Sequence, residues 1–129
     1  MKEYKEIQVA LLGLGTVGLG VYKVLQMQKE EMQHKIGTEI KIKKILVRNL
    51  EKAAGKIEDA SVLTDSWQEI VNDDEIQIVI EVMGGMEPAR TYIMEAMQAG
   101  KQVVTANKDL IAADGKELMD QAKKSGCDL

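Results

Sequence analysis

Ile7-Gln-Val-Ala-Leu-Leu12, followed by Gly13-Leu14-Gly15-Thr16-Val17-Gly18, is the stretch on which the reading of this chain turns. The first six residues form a short apolar run that halts at the spacing Gly-x-Gly-x-x-Gly. Beyond it the apolar period becomes helical, with Val17, Val21, Val24, Leu25 and Met32 falling near one face until Gly37. The expected unit is strand, tight turn, helix.

Such a turn suits a phosphate-bearing ligand. A pyrophosphate needs backbone N–H groups aimed at it and no Cβ in the way, and the positive end of the helix dipole adds a favourable field. Gly13 is expected to permit the tight turn, Gly15 the close approach of backbone to ligand, and Gly18 the packing of helix onto strand. The pattern alone is common in a chain with 11 glycines. Its placement between an apolar strand and an amphipathic helix points to a dinucleotide site. Gly20 is either a second close approach or simply a poor helix residue.

Working outward, Ile40 to Val47 reads as a second strand, partly exposed because of its lysines, and Asn49 to Gly55 as a brief helix. Val62-Leu63 is a short third strand, and Thr64-Asp65-Ser66 offers N-caps for a helix over Trp67 to Val71. Ile76 to Met83 is the most apolar strand and ends at Gly84-Gly85. Glu87-Pro88 starts the next helix, with Pro88 at its first position, and Gly100 stops it in a left-handed conformation. Gln102 to Thr105 is a strand, Ala106 to Lys108 a loop, and Asp114 caps a helix reaching Lys124 and stopped by Gly126. Cys127 to Leu129 opens a further strand. This alternation implies right-handed crossovers and an α/β fold of Rossmann type, a doubly wound parallel sheet with helices on both faces. The loops at 13–18, 48–49, 84–87 and 105–108 would gather at the carboxyl ends of the strands, where such sheets bind ligands.

Composition narrows the function classes. At 129 residues the chain fits one domain. A net charge of −4, with both signs dispersed, argues against a nucleic-acid partner. With three Tyr, one Trp and no Phe, the core is expected to be aliphatic, as in a parallel sheet. The single cysteine excludes an internal disulfide, no metal-ligand spacing is present, and no apolar run approaches the ~20 residues of a membrane span. These features make the cytoplasm the default location. Cys127 is expected to be buried in the last strand and inert, His34 to face solvent, and the methionines to fill the core.

The tip of the second strand reads Val47-Arg48-Asn49. An NAD-preferring site carries a carboxylate there, which accepts from the ribose 2′-OH and repels a 2′-phosphate. Arg48 can instead fork onto that phosphate, so NADP(H) is the expected cofactor, with NAD(H) the alternative. A solvated arginine at a strand end is the plainer account of the same residue. Gly84-Gly85 faces the first loop, and Lys108 sets an amine at a carboxyl strand end. Taken singly, they read as an ordinary turn and a solvated lysine.

Together, Gly13 to Gly18, Val47-Arg48, Glu81-Val-Met-Gly-Gly85, Glu87-Pro-Ala-Arg90 and Val104-Thr-Ala-Asn-Lys108 resemble the N-terminal domain of homoserine dehydrogenase, over nearly the whole chain from Ile7 to Leu129. The resemblance implies NAD(P)-dependent interconversion of L-homoserine and L-aspartate 4-semialdehyde, on the route to threonine and methionine. It implies that Gly13, Gly15, Thr16, Val17 and Gly18 hold the pyrophosphate and that Arg48 meets the 2′-phosphate. Gly84 and Gly85 would lie along the nicotinamide ribose, and Lys108 between nicotinamide and substrate as a catalytic residue. Family members continue into a substrate and dimerisation segment absent here, so residues 1–129 are expected to bind cofactor without turning over substrate, and the longer subunit to be a homo-oligomer. A stand-alone dinucleotide-binding or redox-sensing module, and an oxidoreductase for another small carbonyl compound, are the alternatives.

Overall fold

The apolar runs pair as a parallel sheet because each strand is followed by a helix that carries the chain back across it. The computed structural model describes the backbone of residues 5–36 and 38–129 and the side chains of residues 6–27 and 39–129. Its elements run β1 (Lys5–Leu12), α1 (Thr16–Ile36), β2 (Thr38–Leu46), α2 (Leu50–Ala54), β3 (Leu63–Thr64), α3 (Trp67–Val71), β4 (Ile76–Glu81), α4 (Ala89–Gln98), β5 (Gln102–Thr105) and α5 (Lys108–Ser125). The five strands are all parallel in the order β3-β2-β1-β4-β5, a Rossmann sheet whose strand order reverses at β1. β1 is central, and Val9 to Leu12 are buried on both of its faces.

Two apolar layers result. Leu11, Leu14, Ile42, Ile45 and Ala53 pack with Leu19, Val21, Tyr22 and Leu25 on one face. Ala10, Leu12, Leu46, Trp67, Ile70, Val79, Ile93, Met97, Leu110 and Leu118 form the larger core on the other. Helices therefore cover both faces, as expected. Lys43 is an extra residue in β2, since Val9 pairs with Ile42 and Ala10 with Lys44. That bulge resets the alternation and puts Ile42 and Ile45 in the same layer.

Several local expectations need correction. Val17 and Val24 are exposed, and the stripe of α1 turned inward is Gly18, Val21, Tyr22 and Leu25, one position further round the helix. β4 ends at Glu81 rather than Met83, because the Glu81 carboxylate turns back onto the Met83 and Gly84 amides. Pro88 occupies the cap of α4, not its first turn, behind a cis Glu87–Pro88 bond. Ser66 caps α3 through its backbone alone, while Thr64 Oγ1 accepts from the Ser66 N–H. α5 begins at Lys108 because Asn107 accepts from the Leu110 N–H, and Asp114 is instead a kink within that helix. Gly100 and Gly126 are left-handed, as their stopping roles require. Residues 127–129 form no strand, although the Asp128 carbonyl accepts from the Val103 N–H of β5. Cys127 is half-buried there, and its Sγ donates to the Met97 carbonyl at 3.4 Å. The readings made of Met32, His34 and Gly37 fall outside the described side chains and residues.

Candidate functional site

The carboxyl ends of β1, β2 and β4 open onto a cleft of about 700 Å³. Its lining includes Gly13, Leu14 and Gly15 from the first loop, Val47 to Asn49 from the end of β2, and Val82 to Gly84 from the end of β4. Of the residues singled out by sequence, Gly13, Gly15, Arg48 and Gly84 therefore share one cavity. Thr16, Val17, Gly18, Gly85 and Lys108 are not on its wall.

The three loop glycines do three different things. Gly13 sits at φ +106°, and a Cβ there would meet Met83 at 3.3 Å. Gly18 is pressed beneath the loop, where a Cβ would come within 2.4 Å of the Gly13 carbonyl and 3.1 Å of Val82. Gly15 is the opposite case. A Cβ on it would meet no protein atom within 4 Å and would stand in the cleft. Gly20, within α1, likewise faces nothing within 4 Å and lies outside the cleft wall.

Charge at the site runs against that of the chain. α1 has no acidic residue in its first turn, whose N–H groups lack acceptors within the helix. Arg48, Lys52 and Lys56 line the far side of the cleft, with Asp65 the one carboxylate on its wall. Arg48 is exposed, and neither it nor Lys52 forms an ion pair among the described residues. Lys56 reaches over the loop and donates to the Leu14 carbonyl at 3.1 Å. An Asn49 cap orients α2, accepting from the Lys52 N–H at 3.0 Å, and Lys56 follows just beyond the Gly55 cap at its end. The residues present fit a phosphate-bearing dinucleotide, with an open backbone cradle at Gly15 and three cations beside it.

On the β4 side, Gly84 and Gly85 take φ of +77° and +75°. Behind them Glu81, fully buried, accepts from the Met83 N–H at 2.8 Å, the Gly84 N–H at 3.1 Å and the Thr105 hydroxyl at 2.6 Å. Asn107 donates to the Gly85 carbonyl and so joins the loop to the start of α5, where Lys108 stands exposed. Glu87, at the head of α4, accepts from the Thr91 N–H and hydroxyl, which together hold its carboxyl below the usual range. Pro88 and Tyr92 close the cleft floor, and Tyr92 stacks on Trp67 with ring centroids 4.5 Å apart.

Sequence reading missed Lys52, Lys56, Tyr92 and the Glu81–Thr105–Asn107 network. The two lysines carried a signal, as cations four and eight positions beyond Arg48, and so did a lone acid in an otherwise apolar strand. Tyr92 carried none, because only tertiary packing brings α4 to the cleft. Among the described residues no three His, Cys, Asp or Glu side chains converge on a possible metal site, and no helix is long and apolar enough to cross a membrane.

Residues 13–129 match the family model described as homoserine dehydrogenase, NAD binding domain. Homoserine dehydrogenase of Bacillus subtilis is 45% identical over 125 residues, which are 97% of this chain and 29% of that protein. Among solved structures, a homoserine dehydrogenase from Thiobacillus denitrificans superimposes with a TM-score of 0.86 at 45% identity, over 95% of this chain and 28% of that one. The S. aureus enzyme at pH 6.0 gives 0.90 at 43%, over 97% and 32%. The chain thus spans under a third of the length of the relatives it matches.

Proposed function

Because this chain belongs to the NAD-binding domain family of homoserine dehydrogenase, we propose that it holds NADP(H) for an enzyme interconverting L-homoserine and L-aspartate 4-semialdehyde. The observation that carries the reading is the cleft itself, where the α1 N-terminus and the open face of Gly15 oppose a cationic wall of Arg48, Lys52 and Lys56. The loop N–H groups beyond Gly13, whose own N–H donates to the Leu46 carbonyl at 2.9 Å, bind the pyrophosphate, while Gly18 keeps α1 seated under it. Arg48 grips the 2′-phosphate, helped by the two lysines. No carboxylate stands at the β2 tip to favour a free ribose hydroxyl. When bound, the nicotinamide supplies or takes up hydride. Gly84 and Gly85 let the backbone run along its ribose, and Lys108 offers an ammonium to the oxygen of the reacting carbon. Residues 1–129 act as the cofactor-binding part of a longer subunit of a homo-oligomer serving threonine and methionine synthesis, with the substrate pocket supplied by the remainder.

Trp67 is the only tryptophan and lies one ring behind the cleft wall, so its emission should respond to a nicotinamide dinucleotide bound in the cleft. Titration should give tighter binding of NADPH than of NADH, and Arg48→Ala should erase about 10- to 150-fold of NADPH affinity while leaving NADH unaffected. Equal affinities for the two, unchanged in Arg48→Ala, would overturn the preference. Failure of both to bind would overturn the cofactor reading.

A further inference from the structure

Glu81 is the most deeply buried charged-type side chain among the described residues, at 0% exposure, and it is the last residue of β4, a strand that is otherwise isoleucine and valine apart from Gln77. Burying a carboxyl is unfavourable unless hydrogen bonds replace its water. Here every partner donates. One oxygen takes the Met83 and Gly84 amides, and the other takes the Thr105 hydroxyl. Thr105 Oγ1 in turn accepts from the Asn107 N–H at 3.0 Å. The Asn107 amide group donates to the Gly85 carbonyl, and its oxygen caps α5 on the Leu110 N–H at 3.1 Å. These bonds close a ring from the end of β4 through the Gly84-Gly85 loop to the end of β5 and back.

We propose that Glu81 is a positioning residue that locks the Gly84-Gly85 loop to the start of α5, so that what touches the loop also sets where Lys108 stands. The inference rests on reading the adjoining cleft as the cofactor site. An aliphatic side chain would fill the same space but would leave the Met83 and Gly84 amides and the Thr105 hydroxyl without this acceptor. The ring does what aliphatic packing cannot. It fixes direction, because each donor has one acceptor and the loop cannot shift without releasing Asn107, the cap on which the first turn of α5 depends.

The test uses the whole chain, labelled with 15N and 13C, and follows the Gly84 and Gly85 amides together with the Lys108 amide and ammonium. NADPH should shift both sets in the wild type. In Thr105→Val, which removes the hydroxyl at almost constant volume, the glycine amides should still shift with an affinity within about threefold. The Lys108 response should fall to less than about half. Thr105→Ser should restore it, which a purely space-filling role of the threonine would not allow. Glu81→Gln keeps an acceptor for the amides but turns a donor toward Thr105, and should behave like Thr105→Val; if it fails to fold, the Thr105 pair decides. A Lys108 response unchanged in Thr105→Val overturns the proposal.

Gly84→Ala, strained at its positive φ, provides the same comparison without cofactor. It should move the Lys108 signals in the wild-type background and not with Thr105→Val. Coupling by this route in a chain that ignores NADPH would sink the cofactor reading and keep the ring, whereas NADPH binding without coupling would do the reverse.

Discussion

Gly18 lies against the carbonyl of Gly13, so closely that a Cβ on Gly18 would stand 2.4 Å from that oxygen. The first helix is thus seated on the loop at whose head its N–H groups point. Gly15, three residues away, has open cleft above it.

The two glycines should therefore fail differently. Gly18→Ala forces α1 away from backbone that cannot yield and should cost about 1–3 kcal/mol, read as a lower urea midpoint. Gly15→Val should leave that midpoint nearly unchanged and weaken NADPH binding at least about tenfold by occupying the cradle. Loss of stability without loss of affinity in Gly15→Val would show that the loop approaches no ligand there.

Gly20 is helical, exposed and clear of neighbours. Gly20→Ala should stabilise the chain by about 0.5–1 kcal/mol, the backbone entropy that glycine forfeits in a helix. NADPH affinity should not change. A destabilised variant would mean that α1 meets something at Gly20.

The alternation of strands and helices, the parallel sheet and the end of it where the cleft opens were legible because each rests on local pattern: apolar runs, glycine breaks and the helices between them. Arg48 was legible too, as the residue standing where a carboxylate is usual. What escaped depended on tertiary contact. The bulge at Lys43 exists only against β1, so nothing within β2 announced it. Lys108 was placed in a loop because Asn107, whose side chain starts α5, looked like any turn asparagine until Gly85 stood beside it. Glu81 stood within the quoted motif, yet the Thr105 hydroxyl that ties it to the rest of the network comes from β5, 24 positions on.

Lys101 is nearly fully buried, and its ammonium donates to the carbonyls of Asp73 at 2.6 Å and Ile76 at 2.7 Å. Burial lowers its pKa, with Asp73 and Asp74 opposing. Lys101→Met keeps the stem and removes both bonds, and should cost about 1–3 kcal/mol in urea denaturation. A neutral result would mean that water satisfies those carbonyls in the variant.

Just outside Lys101, the Lys43 ammonium stands 2.7 Å from Asp73 and 2.9 Å from Glu75. The Lys43 hydrogen bond is the main cause holding both carboxyls below their ordinary values of 3.8 and 4.5, and the two acids raise Lys43 above 10.5. The signs fix a window. Stabilisation from the depressed carboxyls is present above their ordinary pKa and is lost as pH falls through their folded values. That from Lys43 is complete below 10.5 and is lost as pH rises through its raised value. Lys43→Met should therefore lower Tm most on the plateau between these limits, with the gap to wild type closing as the medium is acidified below the carboxylate range. Because all three groups are partly exposed, the gap should also narrow in high salt. A gap of constant size from acid to neutral pH would mean that Lys43 contributes only the packing of its aliphatic stem at the β2 bulge.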